Sequence, residues 1–426
     1  MAAPVFDDLV GQEPVVAQLE QAAAAAAGLL RSEPTLGMTH AWLFTGPPGS
    51  GRSVAARAFA AALLCPDQGC GHCPSCHQVR AGTHPDLMLV RPDGLSYGVK
   101  QTRDLVLRAA GAPSGGRWQV VLFEDADRAT EQAANALLKA IEEPSPRTVW
   151  LLCAPSAEEL VTTIRSRCRL VTLRTPAATA VAEVLSRRDG VDPAAALAAA
   201  RAAQGHIGRA RRLATDPEAA QRRDEVLRVP ARITSLGSAL SAAAGLVKGA
   251  EQEAAAVTEE LNVPEREALR KAFGEGSTGK GVAKAVRGAA GALKDLEDRQ
   301  KSRATRLKRD ALDRALLDLA AFYRDVLVIQ LGAADGRELG AGGGRELGTA
   351  DGRELGAGDG RELGAGDGLE LASAGHEDDL RRVAADTTAE STVRRMEAIM
   401  TCRERLEVNV APLLAVEELT LALLAG

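Results

Sequence analysis

The segment His40-Ala-Trp-Leu-Phe-Thr-Gly46-Pro-Pro-Gly49-Ser-Gly51-Arg52-Ser53 reads as an apolar strand, a glycine-rich turn and the start of a helix. The pattern G-x-x-x-x-G-K-[ST] makes a phosphate loop because its glycines let backbone N–H groups close around phosphate. Its lysine reaches the outer phosphates, and its Ser or Thr hydroxyl holds Mg²⁺. Gly46, Gly49, Gly51 and Ser53 fit this pattern, while Arg52 stands where the lysine belongs. Arginine keeps the charge, but its planar fork is bulkier and cannot act as the same compact point donor. The residues predict the loop's geometry. They leave open whether it binds ATP, binds it without turnover, or holds none.

On either side of the loop, from Val5 to about Leu173, short apolar runs alternate with helical patterns. This predicts an α/β unit with a parallel sheet. The candidate strands are Ala41–Phe44, Leu87–Val90, Gln119–Phe123, Thr148–Cys153 and Leu170–Leu173. From Pro176 to about Leu213 the pattern predicts two short amphipathic helices, with Asp192-Pro193 as cap and first position of the second. Beyond that the chain reads as helical nearly throughout, with long charged stretches such as Leu293–Arg324 and Leu380–Leu406.

Between Gly332 and Gly368 a unit close to Asp-Gly-Arg-Glu-Leu-Gly-Ala-Gly recurs, with Gly336, Gly344, Gly352, Gly360 and Gly368 in phase. One leucine per unit cannot bury a core, so the repeat reads as a flexible insertion whose deletion is expected to be tolerated. Gly274-Glu-Gly-Ser-Thr-Gly279-Lys280 resembles a second phosphate loop. Gly281 replaces the needed Ser or Thr, however, and a charged helical pattern precedes it, so it reads as a loop.

About 70 residues after the first loop, Val120-Val-Leu-Phe123-Glu124-Asp125-Ala126-Asp127 is an apolar strand ending in acids. In P-loop ATPases this strand usually ends Asp-Glu, with the Asp toward Mg²⁺ and the Glu orienting the attacking water. Here the order is Glu124-Asp125. The shorter Asp125 would hold a base one methylene back, and small misplacements can cost about a hundredfold in rate. Together with Arg52 this argues against efficient hydrolysis.

Cys65, Cys70, Cys73 and Cys76 are spaced C-x4-C-x2-C-x2-C among glycines and prolines. Four thiolates so placed make a closed tetrahedral zinc site, structural rather than catalytic because no coordination position is left open, with redox-active or merely clustered thiols as the other readings. His72 and His77 are possible substitutes for one thiolate. Cys153, Cys168 and Cys402 read as ordinary thiols.

A chain of 426 residues has room for two or three domains, since single cores stop growing at about 250–300 residues. Hydrophobic residues at 46% and charged residues at 26% are the balance of a globular protein. With a net charge of −5 the whole-chain field does not draw in nucleic acid, so any DNA contact is local or made through partners. Arg299–Lys308 is free of acids and could touch DNA, but a solvated helix face is the expectation. No signal-peptide pattern opens the sequence, and no apolar run approaches the ~20 residues of a membrane span, so a cytoplasmic location is expected. In that reducing compartment the seven cysteines are thiols or metal ligands.

Several blocks carry a resemblance to bacterial clamp-loader AAA+ proteins, and they occur in that family's order. They are Phe6-Asp-Asp-Leu-Val-Gly11-Gln12-Glu13, His40–Ser53, the four-cysteine insert and Asn135-Ala-Leu-Leu-Lys139-Ala-Ile-Glu-Glu143-Pro144. Ser166-Arg167-Cys168 and Asn409-Val-Ala-Pro-Leu-Leu-Ala-Val-Glu417 follow. The likeness spans most of the chain except the glycine repeat. It implies an AAA+ P-loop module over residues 1–175, carrying the zinc knot at 65–76. A small helical lid would follow at 176–216, then an all-α collar at 217–426 that the glycine-rich repeat at 332–372 interrupts.

By the same resemblance Arg167 would be an arginine finger serving a neighbour's ATP site in trans. Gly46, Gly49, Gly51, Arg52, Ser53, Glu124 and Asp125 would line the chain's own nucleotide site. The hydrolysing gamma/tau members carry the loop lysine and an Asp-Glu pair, and this chain has neither. Ala154-Pro155 replaces a polar sensor. Gly208 falls where active members place a lid arginine, with Arg209 one position late.

The implied role is a largely non-hydrolysing structural subunit of the clamp loader within the DNA polymerase III holoenzyme. Structural zinc would be its cofactor, with ATP hydrolysis done mainly by partner subunits. The implied partners are gamma/tau and delta subunits in a hetero-oligomeric ring, with sliding clamp and primer-template DNA met through the assembly. No residue set resembles a polymerase or exonuclease site. Two other readings are an active ATPase subunit that tolerates Arg52 and Glu124, and a zinc-dependent nucleic-acid-binding module with a vestigial nucleotide fold.

Overall fold

The computed structural model describes residues 3–92, 94, 96–115, 117–272, 282–332, 371–373, 375–408 and 410–426. The glycine repeat from 333 to 370, the Gly274–Gly281 loop reading and Asn409 lie outside the described residues. The chain divides into two compact units, residues 1–220 with 251–310, and residues 221–250 with 311–426.

The first unit opens with α1 (Glu13–Leu30), β1 (Ala41–Thr45), α2 (Arg52–Leu64), α3 (Pro74–Ala81), β2 (Leu87–Val90) and α4 (Val99–Ala109). It continues with β3 (Gln119–Phe123), α5 (Glu131–Glu142), β4 (Thr148–Ala154), α6 (Thr162–Arg165) and β5 (Arg169–Thr172). The strands form one sheet in the order β2-β3-β4-β1-β5, every neighbouring pair parallel. All five expected strands are present. β1 and β4 each run one residue further than predicted, and β5 is shifted one residue earlier.

Strand side chains alternate between faces, and helices cover both, which explains the continuous apolar runs. Trp42, Phe44, Val120, Leu122, Val149 and Leu151 share one face with Leu19, Phe59 and Leu63. Leu43, Val121, Phe123, Trp150 and Leu152 pack on the other with Leu105, Leu137 and Ile141. The Asn135–Pro144 block thus supplies core contacts through Leu137 and Ile141 as well as the exposed end of α5.

After the sheet come α7 (Ala178–Asp189), α8 (Pro193–Ala202), α9 (Ile207–Thr215) and α10 (Pro217–Leu227). Val181, Leu185, Ala196, Ala200 and Ala210 make a small core of their own. Asp192 caps α8 as read, its carboxylate accepting from the Ala194 and Ala195 N–H groups at 3.0 and 3.1 Å. The sequence pattern predicted two helices here and there are three. Gly205 makes the break: its φ is +81°, and a Cβ there would lie 2.6 Å from the Pro176 carbonyl oxygen. His206 then starts α9 by accepting from the Arg209 N–H.

α11 (Val229–Arg232), α12 (Leu236–Ala272), α13 (Val282–Gln330), α14 (Glu377–Asp386), α15 (Ala389–Glu407) and α16 (Pro412–Ala425) complete the chain. The core of the second unit gathers Leu246, Leu319, Phe322, Val326, Ile399, Val416 and Leu419. The Leu380–Leu406 stretch is two helices, because Thr388 caps α15 through the Ser391 N–H. Among the described residues no helix is long and apolar enough to cross a membrane.

Phe59 has no exposed surface and meets the Trp42 ring edge-on at 5.0 Å. Phe59→Ala is expected to lower stability by about 3–5 kcal/mol, as for other buried Phe truncations. Urea unfolding measures it. A loss below ~1 kcal/mol would mean that Leu19, Trp42 and Leu63 close the void, since cost depends on how well a site collapses.

Candidate phosphate site and cysteine cluster

The phosphate loop lies between β1 and α2. Gly46 N–H donates to the Pro155 carbonyl at 3.1 Å, tying the loop to the end of β4, and Ser50 N–H donates to Pro47 O at 3.0 Å. Gly46, Gly49 and Gly51 all have positive φ. At Gly49 the constraint is also one of space, since a Cβ would sit 2.7 Å from His206 Cβ and 2.9 Å from its Cα. The turn between α8 and α9 therefore rests directly on the loop.

Arg52 Nη1 and Ser50 Oγ are buried and have no hydrogen-bond partner among the described residues. Buried donors without acceptors are costly, and a phosphate oxygen would satisfy both, so this part of the loop fits an anion. Ser53 lies against the Cys153 thiol, which burial holds well above its ordinary value. At the far side, Gln12 is pinned to Arg174 after β5, donating to its carbonyl and accepting from its N–H at 3.2 Å.

The acids at the end of β3 come to the same edge but are already engaged. Glu124 is nearly buried. Arg91 Nε donates to its Oε2 at 2.7 Å, Arg91 Nη2 to its Oε1 at 3.3 Å, and Arg57 Nη2 from α2 to the same Oε1 at 3.2 Å. The Arg91 guanidinium is held above its ordinary value, first by that hydrogen bond. The Tyr97 hydroxyl donates to the Glu124 and Val90 carbonyls.

Asp125 adopts φ +49° and pairs with Arg306 of α13, Oδ2 to Nη2 at 2.7 Å, while Arg306 Nη1 donates to Pro92 O at 2.7 Å. Burial pushes the Asp127 carboxyl up. The basic stretch Arg299–Lys308 is thus neither a plain solvated face nor an open cationic strip. Arg303 binds Glu265 and Asn262, and Lys308 binds Glu251.

Ala154 ends β4 fully buried. Gly208 lies within α9 beside the His206 ring. Arg167 follows α6 and is part-exposed. Its Nη2 pairs with Glu142 at 2.7 Å, and its Nη1 donates to Thr163 O at 2.9 Å and Ser166 Oγ at 3.3 Å.

Cys65 ends α2, Cys73 caps α3, and Cys70 and Cys76 complete a group whose sulfurs all lie within 4.8 Å of one another. Cys65 Sγ is 3.7 Å from Cys70 Sγ and 3.6 Å from Cys73 Sγ. A tetrahedron built on Zn–S distances of about 2.3 Å has edges of about 3.8 Å, so the group can hold a metal ion. Burial alone would raise the Cys65 thiol. The Cys70, Gly69 and Asp67 N–H groups outweigh it and bring the thiol down to about 7. Burial raises Cys73 and Cys76. Neither His72, whose Nδ1 bonds the Cys70 carbonyl at 2.9 Å, nor His77 joins the group.

Four residues of this edge escaped the sequence reading: Arg57, Arg91, Arg306 and His206 in its contact with Gly49. Arg57 was the most findable, five residues beyond Arg52 on the same helix.

Residues 24–177 match a family described as "DNA polymerase III, delta subunit". The chain is 42% identical to DNA polymerase III subunit delta-prime of Pseudomonas aeruginosa over 165 residues, 37% of this chain and 50% of that protein. It is 39% identical to the delta-prime subunit of Haemophilus influenzae over 157 residues, 36% of this chain and 48% of that one. With DNA polymerase III subunit gamma/tau of Mycobacterium tuberculosis it shares 36% identity over 168 residues, 38% of this chain and 27% of that protein. The chain spans about half the length of the curated delta-prime relatives it matches. Through this matched N-terminal part, the chain is similar to DNA polymerase III delta-prime subunits.

Proposed function

We propose that this chain is a largely non-hydrolysing structural subunit of a bacterial replicative clamp loader, working in the cytoplasm. It completes a ring with gamma/tau and delta subunits and supplies Arg167 in trans to a neighbour's ATP site. Its domains are the AAA+ module at 1–175, the lid at 176–216 and the collar at 217–426. What supports the reading most is that Glu124, where an ATPase needs a metal-binding carboxylate, is held by Arg57 and Arg91. Arg52 in place of lysine and buried Ala154 at the sensor position point the same way. The phosphate loop holds nucleotide without turning it over. Sliding clamp and primer-template DNA are met through the assembly, since the net charge of −5 offers no general attraction.

Arg167 suits the finger role because a guanidinium can bridge phosphate oxygens in a bidentate way and offset the charge that develops in phosphoryl transfer. Cys65, Cys70, Cys73 and Cys76 hold a structural zinc. All four positions are cysteines, and the role is to fix the loop between α2 and α3.

Three measurements test this. One zinc per chain is expected by elemental analysis, and Cys73→Ser should release it and loosen residues 65–77 while the parallel sheet persists. Metal binding in zinc-finger peptides is worth about 10–16 kcal/mol and becomes local folding energy; zinc well below one per chain sinks the assignment. The isolated chain is expected to show negligible ATP hydrolysis, and turnover near ~1 s⁻¹ or faster, the bottom of the usual enzyme range, would favour an active ATPase subunit instead. Arg167→Ala in a reconstituted loader should lower clamp loading and DNA-stimulated ATPase without preventing assembly. Arginine fingers contribute about 10³–10⁵ in GTPases, but only one of several sites would be served, so total turnover falls in part. Arg167→Lys should rescue little, because a point charge lacks the fork. Equal rates for mutant and unmutated subunits would leave Arg167 a surface residue.

A further inference from the structure

In P-loop enzymes the strand-tip acid, the loop hydroxyl and the nucleotide phosphates together hold a divalent cation. A hard cation needs oxygen ligands whose lone pairs face it. Both Glu124 oxygens already accept from guanidinium groups, Oε2 from Arg91 Nε at 2.7 Å and Oε1 from Arg57 and Arg91 at 3.2 and 3.3 Å. Asp125 faces Arg306, whose fork is fixed on its other arm by Pro92 O at 2.7 Å and whose Nε lies 3.6 Å from Asp310. Ser53, the remaining expected ligand, lies against Cys153. A dication here would displace three cations from two carboxylates, so the residues present do not fit Mg²⁺.

The anion half of the site is intact: Arg52 Nη1 and Ser50 Oγ are buried donors without a partner among the described residues, on a loop whose three glycines have positive φ. We propose that the Glu124-Asp125 tip binds no divalent cation, its ligand positions being taken by Arg57, Arg91 and Arg306, and that the phosphate loop binds phosphate-bearing anions without one. The guanidinium clamp neutralises the Glu124 and Asp125 carboxylates, as Mg²⁺ does elsewhere, but it lacks a metal's open coordination sites for an attacking water and a γ-phosphate. The inference rests on the non-hydrolysing reading and names its structural cause.

The probes are ADP and Mn²⁺, the latter followed by electron paramagnetic resonance, with the full chain. ADP affinity is expected to be the same in EDTA and in Mg²⁺, and free Mn²⁺ in the presence of ADP should match the ADP-only control. Arg91→Gln with Arg306→Gln should release the acids and create a Mn²⁺ site. Arg57→Gln with Arg91→Gln serves as a second variant if circular dichroism shows the first to be misfolded. A gain of about tenfold or more in ADP affinity on adding Mg²⁺, a Mn²⁺ site in the unmutated chain, or no Mn²⁺ site in either folded variant would each overturn the clamp. Absence of ADP binding in both buffers would overturn the anion site. ATP turnover by the unmutated chain speaks separately to the non-hydrolysing reading, and that reading survives a failed clamp if turnover is absent.

Discussion

A parallel sheet covered by helices on both faces has no room for polar side chains along its strands, so chemistry is displaced to the strand ends. In this chain the ends of β1, β3, β4 and β5 deliver, respectively, the phosphate loop, Glu124-Asp125, Ala154-Pro155 and the Arg174 that anchors Gln12. The alternation that buries Phe44 on one face and Leu43 on the other also fixes where Gly46 can turn. Shifting β1 by one residue would move both the core and the loop. Loop geometry and core packing are thus one constraint, which is how the loop's shape persists where its lysine does not.

The same constraint explains what was legible in the sequence. The buried strands β1, β3 and β4 leave nearly unbroken apolar runs, and all five strands could be read to within a residue. The phosphate loop and the cysteine cluster are local, each held within a few residues, so their spacing carries their geometry. Asp192-Pro193 capped its helix as read. The split before α9 and the break at Thr388 were missed because a helical pattern gives little warning of a short turn whose cause is one backbone conformation or one side-chain cap.

What could not be read was pairing across long separations. Arg306 meets Asp125 from 181 residues away, and nothing in Arg299–Lys308 distinguishes an arginine committed to a carboxylate from one facing solvent. Glu124 read as a displaced catalytic acid. Arg57 and Arg91 both donate to its carboxylate, contacts that link α2, the end of β2 and the tip of β3.

Under the proposed finger role, the pairing of Arg167 has a consequence for how such a subunit would join another. Its guanidinium is matched in the separate chain by Glu142 and the Thr163 carbonyl, so a phosphate arriving from outside must compete with a carboxylate already in place. The exchange sets one charge-assisted contact against another, and its net worth is the small difference between them. An arginine held this way is oriented before contact, because the side-chain entropy of fixing it is already lost. Under the proposed finger role, docking would exchange this intramolecular ion pair for one between subunits.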